Sequence, residues 1–84
     1  MTRDELLDLV PSEELLFLEG PEFDAALVGV VERFGGVLAA CYDYTRILQV
    51  LEQQGMSYDD AVEWFDFNMI GAYLGDSTPV YLRR

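Results

Sequence analysis

Two stretches in the second half of this chain carry a helical repeat, and the residues between them fix how they can pack. Wound at about 100° per residue, Tyr44, Ile47, Leu48 and Leu51 fall on one face, with Thr45, Arg46, Gln49, Glu52 and Gln53 on the other. Gly55 stands where a helix C′ position favours a left-handed backbone. Ser57 follows as an N-cap whose hydroxyl can accept a backbone N–H, and Asp59 and Asp60 sit at the positive end of a new helix dipole. Asp60 takes the N3 place, where a full capping box prefers Glu. A link this short makes the pair an αα-hairpin. On the second helix Tyr58, Ala61, Val62, Phe65, Met69 and Ala72 form the stripe expected to be buried, with Asn68 in its middle, and Gly71 and Gly75 bracket its end.

The first half has a different texture. Ala25–Arg33 and Val37–Asp43 are strand-length runs rich in β-branched residues, and Gly35-Gly36 between them permits positive φ, which predicts a β-hairpin. One helix from Asp24 to Arg33 is the competing reading; Gly29 and the Val30-Val31 pair count against it. Ahead of these, Thr2 caps a short helix that carries acids in its first turn and closes before Pro11. Ser12-Glu13-Glu14 can restart a turn, and periodicity leaves Leu15–Leu18 open between strand and helix. Asp76-Ser77-Thr78-Pro79 is turn chemistry, after which Val80-Tyr81-Leu82 reads as a short strand that adds to the hairpin. The expected fold is a single α+β domain over residues 1–84. In it a β-hairpin and a short C-terminal strand pack against the αα-hairpin of residues 44–73, with a short N-terminal helix.

Composition removes several kinds of chemistry. All five basic residues are arginine and there is no His, so a Schiff-base lysine, Ser-His or Cys-His catalysis within one chain and a Cys/His zinc site are not available. The single Cys41 has no intrachain partner and reads as a small core residue. The longest apolar run, Val37–Tyr42, is far short of the roughly 20 residues of a membrane helix. Asp4, Glu5 and Asp8 break any signal-like apolar region near Met1, so the expected location is cytoplasmic. Sixteen acidic residues against five basic give a net charge of −11, which repels bare nucleic acid and anionic membranes.

The block Tyr42-Asp43-Tyr44, Gly55-Met56-Ser57-Tyr58-Asp59-Asp60-Ala61, Phe65-Asp66-Phe67-Asn68, Gly71-Ala72-Tyr73, Gly75 and Thr78-Pro79-Val80 is similar to the C-terminal signature of a group of short acidic proteins encoded by phages and bacteria. Phe23-Asp24 with Ala26-Leu27-Val28-Gly29-Val30 resembles the group's earlier segment, so the likeness covers most of residues 15–82. It carries over no catalytic residue. By analogy, phage association implies a counter-defence role of the anti-CRISPR kind, in which small acidic inhibitors recur.

The residues themselves offer one candidate surface. Asp59, Glu63 and Asp66 share a narrow sector of the second helix, a ladder with neighbours about 5–6 Å apart at Cβ that can imitate nucleic-acid phosphates toward a basic groove. The alternative is a solvated helix face that keeps the chain soluble. Phe67 and Ile70 lie beside the ladder, which suggests a partner contact or a homodimer unless the chain's own sheet or N-terminal segment covers them. Asn68 is expected to be buried and tied to backbone, and Trp64 to close the core edge. Asp59, Asp60 and Glu63 lack the loop spacing of an EF-hand. Asp24 and Asp43 flank the hairpin as a candidate carboxylate pair, though a chain this short leaves little room for a sugar cleft.

The expected function is non-catalytic binding, with no cofactor or metal, of a protein partner with a basic surface, through Asp59, Glu63, Asp66, Phe67 and Ile70. The acidic surface would block a nucleic-acid-binding site on that partner. A homodimeric accessory module is the alternative, and a small enzyme using Asp, Tyr and Asn is the least supported class.

Overall fold

A computed structural model describes residues 1–10, 15–72 and 75–84 of the chain. The turn expected at Ser12-Glu13-Glu14, and Tyr73 of the resemblance block, lie outside those residues. In order come helix α1 (Arg3–Leu9), a 3₁₀ helix (Pro21–Ala26), strands β1 (Leu27–Glu32) and β2 (Leu38–Asp43), helices α2 (Tyr44–Gln53) and α3 (Tyr58–Phe65), a π-helical turn (Asp66–Ile70) and strand β3 (Val80–Leu82). The architecture is the expected α+β one: a hairpin extended by a C-terminal strand, two packed helices and a short N-terminal helix.

Local chemistry sets most boundaries. Thr2 and Glu5 form a reciprocal capping box at the start of α1. Pro21 opens the 3₁₀ helix, where its missing N–H costs nothing, and the i, i+3 pair Phe23 and Ala26 is buried. The helix weighed for Asp24–Arg33 is therefore confined to one short turn, and strand begins at Leu27 rather than Ala25. Gly35 and Gly36 both take positive φ, +89° and +82°, at the hairpin tip. There the Arg33 N–H donates to the Val37 carbonyl at 2.7 Å. A bulge lies between Leu27, which pairs with Tyr42, and Gly29, which pairs with Cys41; the extra residue, Val28, is exposed.

β2 is the central strand, antiparallel to β1 and parallel to β3. Ala39, Ala40, Cys41 and Tyr42 are accordingly all buried, as in a strand covered on both faces. Asp43 ends β2 and at once caps α2, its carboxylate accepting the Arg46 N–H at 3.1 Å. Gln54 and Gly55, at φ +104°, then close α2, and the Ser57 hydroxyl accepts the Asp60 N–H to open α3.

The core joins Leu6, Leu15, Phe23, Leu27, Tyr42, Ile47, Leu51, Ala61, Phe65 and Met69. Phe65 is its pivot. Its ring meets Tyr44 and Tyr81 edge-on, each at 4.8 Å, and so clamps α3 to α2 and to β3. The Tyr42 hydroxyl, also buried, accepts the Leu18 N–H at 3.0 Å and pins the irregular 15–18 segment to the sheet. Burial pushes the phenols of Tyr42 and Tyr81 up, the latter to about 12. Among the described residues no helix is long and apolar enough to cross a membrane.

Candidate interaction surface on the last helix

α3 divides sharply into an inner and an outer side. Ala61, Phe65 and, beyond the helix, Met69 are buried, while Asp59, Asp60, Glu63, Asp66, Phe67 and Ile70 are exposed. The carboxylates begin in the first turn, where the Ser57 cap and the dipole favour them. Asp59, Glu63 and Asp66 thus lie on the outer side, as their spacing predicts.

Phe67 and Ile70 are the informative pair. Phe67 is 77% exposed and Ile70 55%, so neither the sheet nor the N-terminal segment covers them. Two large apolar side chains therefore stand in solvent between carboxylates, a composition that a purely solubilising face does not require.

Three expectations about this helix are corrected. Asn68 is tied to backbone as expected, its side-chain amide donating to the Trp64 carbonyl at 3.0 Å one turn back, but it is exposed rather than buried. Tyr58 lies outside the buried stripe at 58% exposure. The regular helix stops at Phe65 and continues as a π turn, which the sequence pattern did not announce. Gly71 sits at the end of that turn, where a Cβ would lie 3.0 Å from the Asp66 carbonyl oxygen, tighter than an ordinary contact.

The π turn completes a cleft of about 280 Å³ lined by Asp60, Glu63, Trp64, Phe67 and Asn68. Glu63 and Phe67 were expected at the site; Asp60, Trp64 and Asn68 were missed, and Asp59, Asp66 and Ile70 lie outside this lining. The missed signal was present, since these positions follow the i, i+3, i+4, i+7, i+8 repeat of one helix face. Trp64, half-buried, stacks on Phe23 with ring centroids 6.5 Å apart, which holds one wall of the cleft against the core.

Basic groups are held elsewhere. Arg3 pairs with Asp24 at 3.0 Å and lies over the Phe17 ring; Arg33 donates to the Asp76 carbonyl and Arg46 to Gln49. Arg83 covers the Tyr44 ring at 3.9 Å, and Arg84 pairs with Asp43 at 2.6 Å. Asp24 and Asp43 are thus each engaged by an arginine of their own. The Arg84 guanidinium and the Arg46 N–H hold the Asp43 carboxyl below its ordinary range. Cys41 is buried, and that burial raises its thiol pKa, the opposite of an activated nucleophile. Among the described residues no three metal-ligating side chains gather into a site.

Comparison with protein families, with curated proteins and with solved structures finds no match to this chain.

Proposed function

We propose that this protein is a non-catalytic binding module whose outer α3 face docks on a basic surface of a protein partner. The observation that carries the reading is the exposure of Phe67 and Ile70 among Asp59, Asp60, Glu63 and Asp66. Apolar anchors ringed by charge of one sign fit a partner of the opposite sign: the acids steer the encounter and the anchors supply the desolvated contact. Self-association through the same face is less favourable, because a two-fold interface would set this acidic row against its own copy. On the resemblance to phage-encoded acidic proteins, the partner is a nucleic-acid-binding component of a host defence system, and the acids occupy the groove its nucleic acid would use.

The test is capture from the native host with wild type and with Asp59→Arg/Glu63→Arg as bait, followed by competition with the captured protein's nucleic acid. A partner held by wild type, released by salt, lost with the reversed bait and unable to hold both ligands supports the reading. Equal capture by both baits, or nucleic acid and this protein bound together at one site, overturns it. Sedimentation as a dimer that dissociates on Phe67→Ala would favour the accessory-module alternative.

A further inference from the structure

The cleft between Trp64 and Phe67 has a chemistry more specific than the acidic face around it. Its lining combines two carboxylates, Asp60 and Glu63, two aromatic rings and the Asn68 amide. An apolar occupant would strip water from both carboxylates without replacing the lost hydrogen bonds, which is costly. An anionic one would meet two like charges and a net charge of −11. What suits both halves of the lining is a cation with a flat, weakly hydrated face, able to donate hydrogen bonds at its edge while its plane lies on a ring. The cleft, about 280 Å³, is shallow and open to solvent, and all of its lining comes from one helix and its π turn, so it suits the end of one side chain presented by a partner surface rather than an enclosed free ligand. The chain's own arginines do not supply it, since all five are engaged elsewhere.

We propose that this cleft accepts the guanidinium of an arginine side chain presented by the protein partner, with Asp60 and Glu63 accepting its N–H groups and Trp64 and Phe67 covering its plane. The proposal rests on the reading of the α3 face as a docking surface and specifies what enters it. Lysine carries the same charge but not the plane, so the cleft distinguishes the two.

Trp64 is the only tryptophan, so its emission reports on the cleft directly. The probes are hexa-arginine and hexalysine peptides of equal charge, titrated at several salt concentrations, with amide chemical shifts locating the contact. Hexa-arginine should bind roughly two- to five-fold more tightly than hexalysine, the size of an exposed cation–π preference. It should alter Trp64 emission and shift amides within residues 58–70. Phe67→Ala, at an exposed position, should erase the preference while leaving salt-sensitive binding of both peptides, and Glu63→Gln should weaken hexa-arginine more than hexalysine. Equal affinity for the two peptides, or a preference unchanged in both variants, overturns the arginine assignment while leaving the docking face intact. Binding of both peptides to Asp59→Arg/Glu63→Arg as strong as to wild type, or binding of neither to the native protein, overturns the docking face and the assignment with it.

Discussion

Asp43 holds two parts of the molecule with two different oxygens, and the contributions can be separated. Oδ1 accepts the Arg46 N–H at 3.1 Å and caps α2; Oδ2 accepts from Arg84 at 2.6 Å and ties the residue after Arg83 back to the end of β2. Loss of an N-cap costs about 0.5–2 kcal/mol. The ion pair is worth less, about 0–1 kcal/mol, because the Arg84 side chain is 65% exposed and solvent screens it. Asp43→Ala should therefore destabilise by about 1–2 kcal/mol, Arg84→Gln by less than about 1 kcal/mol. Asp43→Asn should fall between them, since its amide oxygen can still cap but its NH₂ cannot accept from Arg84. For a domain of this size the alanine variant should lower the melting temperature by roughly 4–16 °C. Because the folded carboxyl is held below its ordinary value, its contribution is complete above the unfolded pKa of about 4 and is lost as pH falls through the lower folded value. Urea melts at neutral pH and in mild acid measure all three variants against wild type. If Asp43→Ala and Arg84→Gln prove equal at neutral pH, the Asp43 cap contributes nothing to α2.

Phe65→Ala removes the ring between Tyr44 and Tyr81 and should cost about 3–5 kcal/mol, a large share of the roughly 4–13 kcal/mol available to 84 residues; circular dichroism should show a largely unfolded or easily melted chain. Gly71→Ala forces a methyl against the Asp66 carbonyl and should destabilise by about 1 kcal/mol, with amide shifts concentrated in the π turn. Ultraviolet titration should find Tyr81 protonated until about pH 12; its raised value contributes stability that is complete below the ordinary phenol pKa of about 10 and is lost between there and 12.

Features set by a few neighbouring residues were legible before the structure. The Thr2 and Ser57 caps, the Gly55 stop and the Gly35-Gly36 tip depend on one side chain or one φ angle, and each lies where the sequence puts it. The strand at Val80–Leu82 was legible as a strand, while its parallel seat beside β2 is set by tertiary packing through Tyr81 and Phe65. Asn68 was misread for a geometric reason. A π turn advances each residue by less than the α-helical angle, which swings Asn68 off the buried stripe while Met69 stays on it. That change of pitch comes from how the segment beyond Phe65 packs, so the helical repeat groups Asp60, Glu63, Trp64, Phe67 and Asn68 on one face without showing that Asn68 turns outward.

The parallel seat of β3 also sets the order in which the molecule can come together. The hairpin, α2 and α3 are joined by short connections and can form with little loop-closure entropy, whereas Val80 reaches Cys41 only after the intervening helices have closed the distance. A three-residue strand brings few hydrogen bonds to that late step, and the edge-on contact of Tyr81 with Phe65 brings most of the reward. The hairpin and both helices can therefore assemble before β3 docks, with the β2 edge open until the strand arrives. In the finished protein the same step run in reverse frees β3 while the hairpin and helices stay packed, so β3 amides should exchange with solvent ahead of those in β2 and α2.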